Sequence, residues 1–268
     1  SAGAALVAHP GVAKITFTGS TATGKLIGTA AMRDMKRVTL ELGGKAPMVM
    51  FDDMDLDLLG AATAIGSFFN TGQTCCAGAR IYVQRGIYEK ALEAITGIAR
   101  SLAIGTGLDP RHQINPLVSS RHQAHVKACI ARGIAEGATP LIGASAPGNG
   151  FYVAPELFTD VRQDMALMQE EVFGPVAAIA PFDDPDEGVR LANDTRYGLG
   201  ASLWTTDLNK VMRYVPKIKA GVVWVNSHNI PDQNMPFGGF KQSGLGREHG
   251  RGALDNYLET KSVCIAYR

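Results

Sequence analysis

Apolar and polar residues alternate with two different periods along this chain. Between residues 38 and 42 every second residue is apolar, which is the period of a β-strand with one buried face. Val126, Ile130 and Ile134 recur at every fourth position, which is the period of an amphipathic helix, and Gly137 ends that helix. Segments of the two kinds alternate over most of the length, so the pattern predicts an α/β protein with a largely parallel sheet.

The other predicted elements follow from the same two periods. The strands are predicted at residues 12–17, 38–42, 47–51, 81–83, 176–182, 201–205 and 222–225. The helices are predicted at residues 21–35, 55–69, 92–98, 126–134, 186–193 and 208–215. A glycine-rich stretch, Pro236–Glu248, then precedes a helical piece and an apolar-alternating tail, Ser262–Tyr267. We expect this tail to join another sheet as an edge strand.

Composition narrows the possible partners. The 268 residues include 26 lysines and arginines against 25 aspartates and glutamates, which gives a formal net charge of +1. Because the basic residues are few and scattered, nothing favours a nucleic acid or an anionic membrane surface. No apolar run approaches the roughly 18 residues that span a bilayer, and no signal peptide is recognisable. We therefore predict a cytoplasmic protein that binds neither nucleic acid nor a membrane.

The cysteines and histidines argue against a disulfide framework and a metal site. The chain has four cysteines, none in the CxxC spacing of a zinc site, and their positions are too uneven for a disulfide scaffold. His122 and His125 are the one pair of histidines at helical spacing, and no third ligand lies near them in the sequence. We expect free thiols and no bound metal.

Two adjacent cysteines lie in a glycine-bounded loop within Phe68–Gly78 (FFNTGQTCCAG), after a predicted helix. A thiol in such a loop can be reached by a small molecule, and its thiolate is a strong nucleophile. The alternative is a buried free cysteine, which spacing alone favours. Glu41 shifts the balance, because a carboxylate on a short strand that ends at two glycines is placed to act as a base in a cleft. The alternative for Glu41 is a solvated strand residue.

A turn at Gly19–Gly24 (GSTATG) follows a predicted strand and opens a predicted helix. Backbone amides and the helix dipole can hold a phosphate group at such a position. The turn is not a complete phosphate loop, because Leu26 follows Lys25 where that motif has serine or threonine. An ordinary strand-turn-helix connection is the alternative, and the turn alone favours it.

Six motifs follow one another along the chain. They are ITFTGSTATGK (Ile15–Lys25), VTLELGGKAP (Val38–Pro47), FFNTGQTCCAGAR (Phe68–Arg80), EEVFGPV (Glu170–Val176), NDTRYGLGASLWT (Asn193–Thr205) and PFGGFKQSGLGRE (Pro236–Glu248). In this order they resemble the aldehyde dehydrogenase superfamily, whose members oxidise aldehydes to carboxylic acids with NAD or NADP. The resemblance covers essentially the whole chain. It implies a three-layer α/β fold with the end of a Rossmann-like cofactor domain, a catalytic domain and a C-terminal oligomerisation strand.

The resemblance also implies a role for each matching residue. The family's nucleophile falls on Cys75, the first of the pair, and its general base falls on Glu41. Ser20 matches the residue that contacts the cofactor's pyrophosphate, with Gly19 and Gly24 allowing its close approach. The other residues at cofactor positions are Leu42, Glu171 and Phe173. The residues implied to line the substrate site are Phe69, Thr74, Cys76 and Phe237.

The implied reaction begins when the Cys75 thiolate adds to the aldehyde carbon, with the oxyanion held by donors that include the Cys75 backbone amide. Hydride transfer to the nicotinamide then leaves a thioester, and a water activated by Glu41 hydrolyses it. The presence of Glu41 separates the chain from related branches that pass the acyl group to coenzyme A. Two other readings are a non-catalytic protein on this scaffold, which loss of Cys75 or Glu41 would signal, and a thiol hydrolase that works without NAD.

The resemblance begins in mid-domain. Family members are about twice as long as this chain, which starts at Ser1 and has its first methionine at Met32. We therefore expect a fragment in which residues 1–42 end the cofactor domain, 43–242 form the catalytic domain and 243–268 form a linker helix and an oligomerisation strand. Such a fragment could be inactive in isolation. The segment that distinguishes NAD from NADP has no counterpart here, so that choice stays open.

The substrate and the assembly are also inferred from the resemblance. Pro231 stands where many relatives carry an aromatic tunnel residue. The stretch NIPDQNMPFGGFKQSG and the tail ETKSVCIAYR are most similar to the phenylacetaldehyde dehydrogenase-type branch. We therefore expect an aromatic aldehyde as substrate, with an aminoaldehyde or betaine aldehyde as the alternative. The family pattern implies a homodimer or homotetramer.

Overall fold

A computed structural model describes residues 1–268 and arranges them in two β-sheets of seven and three strands. The strands are β1 (Lys14–Thr18), β2 (Arg37–Glu41), β3 (Pro47–Met50), β4 (Arg80–Gln84), β5 (Thr139–Pro140), β6 (Glu156–Thr159), β7 (Val176–Phe182), β8 (Gly200–Trp204), β9 (Val222–Val225) and β10 (Gly244–Leu245). The helices are α1 (Ala2–Ala8), α2 (Thr21–Arg33), α3 (Leu59–Ala61), α4 (Tyr88–Ser101), α5 (Ser120–Ala135), α6 (Ala166–Gln169), α7 (Pro185–Asn193) and α8 (Leu208–Tyr214). The α/β class predicted from the sequence is confirmed.

The larger sheet has the strand order β5-β6-β7-β4-β3-β8-β9 and is parallel except for the β5–β6 pair. Helices cover both of its faces, so its central strands are buried on both sides and read as apolar runs. In β3, Met48 and Met50 pack into one core cluster while Val49 packs into the other. In β4, Ile81 and Tyr82 divide in the same way. The side chains therefore alternate between two cores, one on each face of the sheet.

The smaller sheet has the order β1-β2-β10. Strands β1 and β2 are parallel and joined by α2, whereas β10 pairs antiparallel with β2 and places Gly244 opposite Glu41. A chain segment from near the C-terminus thus closes over the strand that carries Glu41. The division into domains at residues 42 and 242 remains a prediction.

The helix predicted over residues 55–69 is confirmed as a helical segment capped by Asp55, but it ends at Ser67 and is not a regular α-helix. Residues 56–58 and 69–72 form 3₁₀ turns, α3 is a single turn, and Ala62–Ser67 is a π-helical segment. The π turn arises because residue Gly78, outside the helix, forms hydrogen bonds with the end of the helix. The Gly78 amide donates to the Gly66 carbonyl at 2.8 Å, and Ser67 Oγ donates to the Gly78 carbonyl at 2.7 Å. The helix end is therefore bound directly to the loop that contains the two cysteines.

The remaining differences lie in short elements and at the end of the chain. The sequence pattern missed α1, α6, β5, β6 and β10. The tail Ser262–Tyr267 is exposed and pairs with no strand of this chain, so its addition to another sheet remains a prediction. The helical piece predicted after Glu248 is found as a 3₁₀ helix over Arg251–Tyr257. None of the helices combines the length and the apolar character that crossing a membrane requires.

Candidate active site

A cavity of about 870 Å³ opens at the carboxyl ends of β1 and β2 and beside the loop that contains the two cysteines. Eleven of the twelve residues predicted for the site line it, namely Gly19, Ser20, Glu41, Leu42, Phe69, Thr74, Cys75, Cys76, Glu171, Phe173 and Phe237. The exception is Gly24. Carboxyl ends of parallel strands are where ligands bind in α/β folds, so the fold and the sequence indicate the same place.

The loop that carries Cys75 has backbone torsion angles in the left-handed region, which few residue types adopt. Gly72 has a φ of +68°, and a Cβ at this position would lie 2.1 Å from the Gly174 carbonyl oxygen. Before it, Thr71 also has a positive φ, 58°, and its Oγ1 accepts the Asn115 amide at 2.8 Å. Backbone strain of this kind persists where the surroundings fix it, and it is common at functional sites. The loop presents Cys75 half-buried at the cavity wall.

The Cys75 thiol has a pKa below its ordinary value. The largest cause is a hydrogen bond from the neighbouring thiol of Cys76, whose sulfur lies 3.9 Å from that of Cys75. The backbone amides of both cysteines lower the pKa further, whereas burial and the charge of Glu171 act in the opposite direction. The same thiol–thiol bond, together with burial, raises the pKa of Cys76. Of the two thiols, Cys75 is thus the one that ionises first, and it is half-buried at the cavity wall whereas Cys76 is buried.

Glu41 is buried, not solvated, so the alternative for this residue is wrong. It is the last residue of β2 and only 5% exposed. Burial raises the pKa of Glu41 to about 8, and the nearby charges of Glu248 and Cys75 add to this effect. Neither carboxylate oxygen of Glu41 has a hydrogen-bond partner, nor does Oε1 of Glu248. The charge of Arg247 acts in the opposite direction and lowers the pKa of Glu41.

Glu171 is fixed against the chain segment that follows Glu41. Its Oε1 accepts the backbone amide of Gly44 at 3.2 Å, and a Cβ at Gly43 would lie 2.1 Å from its Oε2. The segment between β2 and β3 therefore needs glycine to let the carboxylate approach. Burial raises the pKa of Glu171. Two residues further on, Phe173 has a φ of 55° and is 37% exposed, so its ring faces the cavity.

Some residues of the turn at Gly19–Gly24 lie in the cavity wall, and others pack in the core. Ser20 caps the helix, since its Oγ accepts the Thr23 amide at 3.2 Å, and Gly19 and Ser20 line the cavity. Gly24 does not line it. A Cβ at Gly24 would lie 2.4 Å from the side chain of Leu42, which does line the cavity. Gly24 is required for packing α2 against Leu42, and the close approach to a cofactor expected of it has no support in this geometry.

Comparison with known proteins decides the family. The sequence model of the "Aldehyde dehydrogenase family" matches residues 1–263. The chain belongs to this family. It is 46% identical to a phenylacetaldehyde dehydrogenase of Pseudomonas fluorescens over 100% of this chain and 54% of that protein. It is 43% identical to a betaine aldehyde dehydrogenase of Rhizobium leguminosarum bv. trifolii over 98% of this chain and 55% of that protein.

Solved structures of the aldehyde dehydrogenase family have the same fold. An NAD⁺ complex of an aldehyde dehydrogenase from Bacillus cereus superposes with a TM-score of 0.97 at 43% identity, over 100% of this chain and 55% of that one. An NAD⁺ complex of the Mycobacterium tuberculosis enzyme gives a TM-score of 0.94 at 38% identity, over 98% of this chain and 55% of that one. The chain thus spans about half the length of the relatives it matches.

Aromatic side chains line one part of the cavity in this aldehyde dehydrogenase chain. Phe69 is 56% exposed, and Phe237 is held by a two-way backbone bridge to Glu248, with both N–H···O distances at 2.7 Å. Trp224 also lines the cavity, and its Nε1 donates to the Ile230 carbonyl at 2.9 Å. Trp224 is not among the residues predicted from the sequence.

Polar residues that were not predicted for the site also lie there. His122 and His125 of α5 line the cavity with ring centroids 5.8 Å apart; their spacing was recognised, but nothing in it indicates which cavity they face. Asn229 lies within hydrogen-bond distance of Cys76, and the buried His228 lies 2.7 Å from the Cys76 carbonyl. Both follow β9, at the carboxyl edge of the sheet. The strand-end rule is the one sequence signal that could have found them.

Proposed function

We propose that this chain supplies the catalytic part of an NAD-dependent enzyme that oxidises an aldehyde to a carboxylic acid. One observation carries the proposal: a thiol of lowered pKa, Cys75, and a carboxyl group whose pKa is raised to about 8, Glu41, line the same cavity. The lowered pKa favours the thiolate, which is the reactive form of the nucleophile, and the second group is a base that is stronger than an ordinary glutamate. The chain's NAD-bound relatives support the cofactor assignment.

Cys75 forms the covalent bond to the substrate. Its thiolate adds to the aldehyde carbon, a carbon–sulfur bond forms, and the carbonyl π electrons move to oxygen. The resulting oxyanion needs a donor, and the backbone amide of Cys75 donates to no backbone carbonyl of the chain. That amide is therefore free to hold the oxyanion, which is a large contribution to catalysis in acyl chemistry.

Other residues of the cavity wall fit a nicotinamide dinucleotide. The fixed Glu171 carboxylate offers two acceptors for ribose hydroxyls, and Ser20 lies at the N-terminus of the 13-residue helix α2, which suits a pyrophosphate. Leu42 and Phe173 offer apolar contacts for the nicotinamide ring. Bound NAD supplies the hydride acceptor, so that the Cys75 adduct becomes a thioester.

Glu41 releases the acid. Its carboxylate removes a proton from a water molecule, the water oxygen attacks the thioester carbon, and the carbon–sulfur bond breaks to return the Cys75 thiolate. A base with a pKa of about 8 accepts this proton more readily than one at the ordinary value of 4.5. Because the oxygens of Glu41 have no competing partners, they can accept it without breaking a structural hydrogen bond.

An aromatic aldehyde such as phenylacetaldehyde is the proposed substrate. Phe69, Trp224 and Phe237 give the cavity aromatic walls, and the Pseudomonas fluorescens relative is named for this substrate. A betaine aldehyde or aminoaldehyde is the second candidate, because aromatic rings also attract cations and several relatives are betaine aldehyde dehydrogenases. Glu41 and Glu171 are the only carboxylates on the cavity wall, which leaves no third acid to pair with a cationic substrate.

The test measures NADH formation with phenylacetaldehyde and with betaine aldehyde, each with NAD and with NADP. The chain is assayed alone and fused behind the N-terminal half of the Pseudomonas fluorescens relative, beside the Cys75→Ala variant of each. We expect aldehyde-dependent NADH formation in the fusion and its loss on substitution. Ester hydrolysis without any NAD-dependent aldehyde turnover would instead support a thiol hydrolase.

Assembly and location are proposed with the same function. We propose a cytoplasmic homodimer or homotetramer in which the exposed tail Ser262–Tyr267 adds to a sheet of a second copy. Light scattering on the chain with and without residues 259–268 tests this. We expect the truncated chain to be a monomer. If it has the same number of subunits as the full chain, the tail is not the contact.

A further inference from the structure

Cys76 lies between two polar partners in the wall of the cavity. Its sulfur is 3.9 Å from the sulfur of Cys75 on one side and 3.3 Å from Oδ1 of Asn229 on the other. The side chain is buried, with only 5% exposed. A thiol has a single proton, so Cys76 can donate to only one of these partners at a time.

The charge on Cys75 decides which partner receives the proton. When Cys75 is neutral, the nearer amide oxygen of Asn229 accepts it. When Cys75 is a thiolate, the negative sulfur is the stronger acceptor, because hydrogen bonds to charged groups are about twice as strong as neutral ones. The oxygen and nitrogen ends of an amide have almost the same shape, so Asn229 can turn its NH₂ group toward the Cys76 sulfur and donate in its turn.

The backbone of Cys76 is fixed by a buried hydrogen-bond chain. His228 Nε2 lies 2.7 Å from the Cys76 carbonyl, and Nδ1 lies 2.9 Å from Ser202 Oγ. Trp204 Nε1 donates to the same Ser202 Oγ at 2.8 Å. A carbonyl can only accept, so His228 carries its proton on Nε2, and its Nδ1 accepts from Ser202. Burial lowers the pKa of His228 to about 4, which keeps the ring neutral near pH 7.

The consecutive residues His228 and Asn229 therefore hold the carbonyl and the side chain of Cys76 respectively. We propose that Cys76 acts in the reaction as a hydrogen-bond donor to the Cys75 thiolate, with Asn229 and His228 as the residues that position it. The role in catalysis rests on the proposed function. The hydrogen bond itself does not, because it affects the reactivity of the Cys75 thiol in the absence of aldehyde and NAD.

The experiment measures how fast iodoacetamide alkylates Cys75 as a function of pH, with the modified site identified by peptide mass spectrometry. The 268-residue chain is compared with Cys76→Ala, which removes the donor, and with Cys76→Ser, which keeps one. Cys264→Ser is the matched control, because that thiol is exposed and lies in the tail. We expect the apparent pKa of Cys75 to rise by about one unit in Cys76→Ala, with alkylation about tenfold slower near pH 7.

In Cys76→Ser we expect most of this reactivity to return, and in Asn229→Leu we expect a smaller loss than in Cys76→Ala. A Cys75 profile that is the same in Cys76→Ala and in the unsubstituted chain overturns the proposal. So does an equal loss in the serine and alanine variants, because it would show that shape and not hydrogen bonding matters. Thermal unfolding of each variant identifies any that fail to fold. Since no aldehyde or cofactor is present, these outcomes are independent of whether the proposed oxidation occurs.

Discussion

Glu248 raises the pKa of Glu41 across the buried end of the smaller sheet. The two residues are far apart in the sequence and approach each other because β10, just before Glu248, pairs with the strand that carries Glu41. An oxygen of each carboxyl group has no hydrogen-bond partner. The C-terminal segment therefore does more than cover the sheet, since it also tunes the proposed base.

Replacing Glu248 by glutamine removes one of the charges that raise this pKa. The pKa of Glu41 should fall from about 8 but stay above 4.5, because burial, its largest cause, remains. The rate of acid release depends on the deprotonated base, so its rise with pH should move to lower pH in Glu248→Gln. The pH–rate profile of aldehyde oxidation by the fusion protein checks this. An inflection that does not move would mean that Glu248 does not influence the base.

The raised pKa of Glu41 also predicts how stability changes with pH. Between pH 4.5 and about 8 the folded chain holds a proton that the unfolded chain has lost, so stability falls as pH rises through this range. Glu41→Gln removes this penalty. Because the cavity admits solvent that screens the charge, we expect the variant to gain on the order of 2 kcal/mol at pH 9 relative to pH 5. Urea unfolding at the two pH values measures the free energy of unfolding of both chains. If Glu41→Gln changes it equally at pH 5 and pH 9, the pKa of Glu41 is not raised.

Gly72 should be the least replaceable glycine in the nucleophile loop. Alanine there would combine a φ of +68° with a Cβ placed 2.1 Å from the Gly174 carbonyl oxygen. We expect Gly72→Ala to lower the free energy of unfolding by more than about 2 kcal/mol and to slow the alkylation of Cys75.

Gly97 provides the control, since it lies within α4 and a Cβ there meets nothing within 4 Å. Gly97→Ala should raise the free energy of unfolding by about 0.5–1 kcal/mol. Urea unfolding of both variants makes the comparison, and similar effects at the two positions would contradict the steric argument.

The buried chain Trp204–Ser202–His228 should be costly to break. Replacing Ser202 by alanine leaves Trp204 Nε1 and His228 Nδ1 without their partner in the core. We expect a loss of about 1–3 kcal/mol in the free energy of unfolding. His228→Leu removes the bond to the Cys76 carbonyl as well, and should also raise the apparent pKa of Cys75. A stable Ser202→Ala variant would show that these groups find other partners.

Local pattern was enough to predict most strands, whereas Cys75 and Glu41 were assigned their roles by resemblance to a family. Strands such as Val176–Phe182 and Val222–Val225 were predicted within their exact bounds, because buried strands read as apolar runs of short length. The motifs that contain Cys75 and Glu41 carried their roles by resemblance. Those roles, and those of the other site residues, remain predictions that the cavity geometry supports.

What sequence reasoning missed depends on partners that are distant along the chain. The segment after Asp55 has helical spacing, but the hydrogen bond from the Gly78 amide to the Gly66 carbonyl makes its second half a π-helix. Gly24 looks like part of a phosphate turn, yet its neighbour is Leu42. The hydrogen bonds of His228 to Cys76 and Ser202 cannot be read from periodicity, because they join the ends of three different strands or loops.

The most direct test of the central claim uses Glu41→Gln to trap the intermediate on Cys75. The fusion protein is mixed with phenylacetaldehyde and NAD, digested, and its peptides are examined by mass spectrometry. With the base removed, the account predicts that an acyl group accumulates on the peptide that contains Cys75, and that Cys75→Ala abolishes it. Steady-state acid production by Glu41→Gln at the unsubstituted rate, or an acyl group on another residue, would contradict the account.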